Sequence, residues 1–252
     1  MFLPHFFEVI FFIFGCSTSP MKSLHCLLLV VCLNVFGQAD LARGEQLFHQ
    51  GELSQAAKIF RLRIQNEPAN SRALEFLGDI SATQKNWDSA AYYYERLKSV
   101  NPRSASAQYK YGGAMAMSAS QSNKVKALTM VSDIRNAFER AIALDPKHIN
   151  ARWALIELNL QLPAIFGGSE SKATTYANEL LKISAVDGWL AKGKIAEYFE
   201  RYATAEKYYR KAVETGGSRT TYQKLAELYK NKMNRPDKAK ETMAAYLQKN
   251  KS

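Results

Sequence analysis

The stretch from Ser71 to Pro102, SRALEFLGDISATQKNWDSAAYYYERLKSVNP, decides the fold. It carries a glycine at Gly78, an alanine at Ala90, an aromatic at Tyr94 and a closing proline at Pro102. Ala90 and Tyr94 stand four residues apart, so they share one face of a helix. Glycine and alanine let a neighbouring helix come close, and the aromatic fills the gap beside them. Proline stops the helix, because it lacks a donor and clashes with the preceding turn.

Outward from this stretch the same positions recur every 34 residues: Gly44, Gly78 and Gly112; Ala56 and Ala90; Phe60 and Tyr94; Pro68 and Pro102. The alanine and aromatic return as Ala205 and Tyr209, and Ala239 lies 34 residues beyond Ala205. Four position classes sharing one period mark stacked helix pairs, none of which can bury its apolar face alone.

This pattern resembles that of the tetratricopeptide repeat family, which runs tryptophan, leucine-glycine, tyrosine, alanine, phenylalanine, proline over 34 residues. Leu77-Gly78 and Tyr111-Gly112 occupy the leucine-glycine place, Trp189 and Gly193 the tryptophan and glycine places, and Pro68, Pro102 and Pro146 end successive repeats. The resemblance implies an all-α, right-handed α-solenoid of about six helix pairs that binds partners rather than catalysing a reaction. The repeats begin near Gly37, Ser71, Ala105, Ile149, Val186 and Thr220 and account for residues 38–252 without a second domain.

Two repeats are too long. Pro102 to Pro146 exceeds the period by ten residues, and the surplus around Ser118 to Lys126 reads as a longer loop between helices. The fourth repeat carries Pro163-Ala164-Ile165-Phe166-Gly167-Gly168-Ser169. There Gly167-Gly168 allows backbone angles closed to other residues and Ser169 can cap the helix that follows. The insert reads as a structural turn whose Ile165 and Phe166 plug the core; the competing reading is an anion site on bare glycine amides. Its Pro-x-x-x-Gly-Gly-Ser-x-x-Lys-Ala element resembles one in exported bacterial repeat proteins and, more faintly, in regulators of microtubule dynamics, and assigns no chemistry.

The N-terminus has a different character. Residues 1–37 carry two formal charges, Glu8 and Lys22, and read as a targeting segment. Met21-Lys22-Ser23, the apolar run Leu24 to Phe36 and the small Gly37 and Ala39 follow the plan of a secretory signal peptide spanning 21–37, with Met21 as the start and cleavage after Gly37 or Ala39. A rival places a lipidated anchor at Cys16 and leaves Leu27 to Phe36 unexplained. The run is too short to span a bilayer, so no transmembrane segment is expected in the mature chain. Cys16, Cys26 and Cys32 all precede cleavage, which leaves no disulfide, thiolate metal site or cysteine nucleophile. The expected destination is the periplasm or the exterior.

With 47% hydrophobic and 23% charged residues, wholesale disorder is excluded. The net charge of +11 survives removal of the targeting segment. From Ser218 to Ser252 nine Lys or Arg stand against three Asp or Glu. This patch suits an acidic partner; no nucleic acid is expected.

Catalytic constellations are missing from the sequence. His49 and His148 stand a hundred residues apart with no metal-ligand spacing, and no nucleophile elbow, P-loop or dinucleotide fingerprint occurs. Glu197 and Glu200 read as a solvated salt-bridge face. No cofactor is expected.

Partner binding is expected on the first helix of each pair, which lines the inner wall of such a solenoid. The register directs Arg72, Glu75 and Asp79, Tyr109, Trp153, Glu157 and Leu160, and Lys194 and Glu197 inward. Trp153 and Tyr109 are the foremost candidates, because aromatics dominate binding hot spots; the alternative is packing against a neighbouring helix. Tyr94 is core, with Tyr92 and Tyr93 as filler between repeats. The expected role is a non-catalytic exported scaffold holding a protein or peptide in its concave groove. The alternative is a periplasmic small-ligand-binding or transporter-accessory protein, with the insert after Leu162 shaping a pocket.

Overall fold

The computed structural model describes residues 40–249, so the targeting segment and the three cysteines lie outside the described residues. Those residues form twelve α-helices and no strand. They are α1 (40–49), α2 (Leu53–Asn66), α3 (Ser71–Thr83), α4 (Trp87–Val100), α5 (Ala105–Gln121), α6 (Lys124–Leu144), α7 (Ile149–Gln161), α8 (Glu170–Ile183), α9 (Ala185–Tyr198), α10 (Tyr202–Gly216), α11 (Arg219–Asn231) and α12 (Pro236–Lys249). The chain is an α-solenoid of six helix pairs. Helices α2, α4 and α6 each end two residues before Pro68, Pro102 and Pro146, where the proline pattern places their ends.

The chain divides into two compact units within α3, one ending at Ile80 and one beginning at Ser81. In the first, Phe60 is fully buried and its ring stacks on Phe76 at 4.9 Å. A Cβ on Gly44 would meet that ring at 2.9 Å, so the glycine makes the close approach of α1 to α2 possible.

In the second unit successive helices pack in chain order from α4 to α12. First helices of consecutive pairs also touch, α5 on α7, α7 on α9 and α9 on α11. Between them run apolar layers: Phe138 with Ala141 and Leu155, Leu180 with Ala177 and Ile156, Tyr209 with Ala205 and Leu228. Most helix starts in this unit are closed by side chains, that of α10 at Arg201 being an exception. Ser104, Asn123, Ser169, Ser184 and Ser218 each accept a first-turn N–H, and His148 does so through Nδ1 at 3.2 Å from Ala151 N. His148 is thus a cap, and His49 ends α1 exposed.

The loop expected at Ser118 to Lys126 is not there. Instead α5 runs to Gln121 and α6 starts at Lys124, so the surplus becomes extra helical turns, 17 residues in α5 and 21 in α6. Ala and Met sustain the helix. Buried Ser118 donates to Asp88 on α4, and Asn123 accepts from Lys126 N at 2.9 Å to start the second helix at once. Tyr92 also departs from expectation: it is 55% exposed and touches Tyr93 edge-on, so it fills no space between repeats.

Candidate binding site

The candidate partner residues fall into separate groups. Arg72 is exposed on α3 and its guanidinium pairs with Glu45 of α1, while Glu75 and Asp79 lie half-buried one and two turns on. In the second unit, Tyr109, Trp153, Glu157, Lys194 and Glu197 stand on α5, α7 and α9, helices that touch in that order.

Most of these side chains are already engaged. Trp153 donates its indole N–H to Asp187 at 2.9 Å, a residue 34 positions on, and packs on the Ile156–Leu180 layer. It therefore ties α7 to α9, which is the packing alternative. Leu160 is 4% exposed in that same layer, so it is core and not a contact for a partner; the α8 hairpin closes over it. Tyr109 lies against Phe138 and His148. Glu157 and Lys194 form an ion pair at 3.4 Å with both side chains about two-fifths exposed. Glu197 accepts a 2.7 Å hydrogen bond from the Tyr209 hydroxyl, so it serves the core rather than a solvated salt-bridge face. Burial, then the Glu197 carboxylate, pushes the Tyr209 hydroxyl above the ordinary phenol value.

Beside this face lies a cavity of about 1140 Å³ bounded by α4, α5, α6, α7 and the turn after Leu162. Its walls are apolar: Trp87, Met117, Leu128, Val131, Leu162 and Phe166 are typical. Lys110, Lys124 and Glu157 bring the charge. Trp87 keeps its indole N–H buried without an acceptor among the described residues. The two repeat surpluses build this space together. The lengthened α5–α6 pair supplies Met117, Lys124 and Leu128, and the insert supplies Pro163 and Phe166. The insert and the surplus are visible in the sequence; that both line one cavity is not.

The insert is a one-turn 3-10 helix, Ala164–Phe166, ended by Gly167 in the left-handed region (φ 88°). Arg135 of α6 donates to Asn159 Oδ1 at 3.3 Å and to the Gly167 carbonyl at 3.0 Å, holding the turn against α7. A Cβ on Gly168 would overlap the Leu162 carbonyl, so only glycine fits there. The amides that an anion would need are used: Gly167 N donates to Ala164 O, Gly168 N to Pro163 O and Ser169 N to Asn159 O. The turn reading holds; the plug does not. Ile165 is 85% exposed and Phe166 is 43% exposed at the cavity.

Among the described residues no three His, Cys, Asp or Glu side chains gather as a metal site, and no helix is long and apolar enough to cross a membrane.

Residues 41–105 and 186–215 match family models described as tetratricopeptide repeat. No functionally curated protein matches the sequence. A tetratricopeptide repeat protein from Parabacteroides merdae is similar in structure, with a TM-score of 0.63 at 16% identity over 84% of this chain and 79% of that one. PilW, described as a widely conserved type IV pilus biogenesis factor, gives 0.61 at 15% identity over 83% and 91%. YrrB, described as having an unusual peptide-binding site, gives 0.54 at 15% over 72% and 87%. At such identities the neighbours speak for the fold alone; the two matched segments, with the glycine, alanine, aromatic and proline positions built into the helix pairs, identify the repeats of this chain as tetratricopeptide repeats.

Proposed function

We propose that this protein is an exported, non-catalytic interaction scaffold that holds a protein or peptide partner against the face formed by α5, α7 and α9. The repeat fold supports a scaffold role, since stacked helix pairs present extended binding faces. The Met21 to Ala39 pattern supports export to the periplasm or beyond. The observation that carries the partner site is local: Met117, Val125, Ile165 and Phe166 are exposed on the two segments that bound the cavity, next to the Glu157–Lys194 pair. Exposed apolar groups gathered at one place mark interaction surfaces. The solved neighbours described as a pilus biogenesis factor and as a peptide binder are in keeping with this role. Arg219, Lys224 and Lys230 of α11 are exposed and would favour an acidic surface on the same partner.

The test is affinity capture of the exported protein with wild type, Lys194→Glu and Ile165→Asp. Both positions are exposed or partly exposed, so helical circular dichroism should stay unchanged while the captured partner is lost. Retention of one partner set by all three proteins would refute the site.

A further inference from the structure

The cavity beside α5 and α7 is roomier and more apolar than docking a partner on its rim requires. Pockets for small ligands run to roughly 300–1,000 Å³ and are mostly apolar with a few placed polar groups; this one is about 1140 Å³. We propose that it binds a free single-chain amphiphile, a long-chain carboxylate, with its tail between α5, α6 and the Leu162–Phe166 turn and its head at Lys124.

Three observations favour that occupant. Met117, Leu128, Val131, Leu162 and Phe166 make one continuous apolar stretch of the lining, while its uncharged hydrogen-bonding side chains are Trp87, Tyr94, Tyr109, Ser120 and Gln161. Against those apolar residues an extended peptide would bury N–H and C=O groups without partners, whereas an alkyl chain brings none. The charge at the cavity is also one-sided. Glu157 is answered by Lys194 at 3.4 Å, which leaves Lys124 as the cation that a ligand can meet there. The Lys124 ammonium has no ion-pair or hydrogen-bond partner among the described residues, and exposed Lys126 stands two residues on. Finally, Lys124 is the first residue of the 21-residue α6, whose N-terminal dipole adds positive potential at that end. An anionic head is therefore favoured at one end of the cavity and a hydrocarbon in the rest.

The inference stands apart from any protein partner, and the purified protein tests it alone. It is titrated with n-alkyl carboxylates of rising length, each below its micelle concentration, while tryptophan fluorescence and thermal stability are followed. One saturable site is expected, with affinity rising about three- to fourfold per added methylene until the cavity is full. The fluorescence change should vanish in Trp87→Phe, because Trp87 lines the cavity. Lys124→Glu should weaken binding about three- to tenfold, and the methyl ester should bind the wild type no better. Phe166→Ala should weaken it as well, and Leu247→Ala, exposed on α12, should leave it unchanged. No saturable binding at any chain length overturns the proposal, as does equal binding by wild type and Lys124→Glu/Phe166→Ala. Association seen only with phosphatidylcholine vesicles would show membrane docking, and a protein partner lost in Phe166→Ala with no carboxylate bound would assign the cavity to that partner's segment; either result also overturns it.

Discussion

Two adjacent glycines on α5 show how far neighbours decide a residue's worth. A Cβ on Gly112 would meet the Phe138 ring at 2.9 Å and the Ala137 Cβ at 3.1 Å, whereas one on Gly113 meets nothing within 4 Å. Gly112→Ala should therefore cost about 1–2 kcal/mol, overpacking outweighing the helix-propensity gain. Gly113→Ala should stabilise by roughly 0.5–1 kcal/mol. Urea midpoints of the two variants, moving in opposite directions, check this. Glu206 offers a second residue-scale test. Burial alone would raise its carboxyl, but hydrogen bonds from Tyr229 and Arg210 and the Arg210 and Lys238 charges outweigh it and hold the group below the ordinary carboxylate value. A depressed folded pKa stabilises fully above the unfolded value, about 4.3, and that stabilisation is lost as pH falls through the folded value. The stability gap between wild type and Glu206→Gln should thus be constant near neutrality and close in acid; a gap that widens in acid would contradict the assignment.

Among the elements, the α5–α6 pair and the 3-10 turn depend on few groups. Asn123 starts α6 after a break of two residues, so Asn123→Ala should cost about 1 kcal/mol. Amide exchange should quicken near Ser118 to Leu128 while Phe138 and Leu155, deep in their layer, stay protected. Arg135→Ala removes both donors that hold the turn after Leu162. Amides of Gly167 and Gly168 should then exchange faster with little change in global stability. The turn was legible in its Pro and Gly-Gly residues; its clamp was not, because Arg135 precedes Gly167 by 32 positions and only the packing of α6 on α7 brings them together.

For the whole molecule, stability should follow nearest neighbours along the stack. Helix α12 buries Ala239 alone among its described residues, so it has least to lose by opening. Native-state hydrogen exchange should show α12 opening first and α7 to α9, with buried Leu155, Leu180 and Ala191, opening last. Uniform protection from α7 to α12 would show a single cooperative block instead.

The repeat period, the helix pairs and the residues at their seams were determined by sequence alone, because alanine–aromatic spacing, glycine approach and proline stops act within one or two turns of the chain. What tertiary structure decided was the fate of side chains that meet across repeats. Trp153 found Asp187, Leu160 went into the core, and two separate surpluses became walls of one cavity. The physical reason is that a stretch of extra residues carries its own helix propensity but not its partner; whether it becomes loop, turn or longer helix depends on which surface lies opposite when the pairs stack.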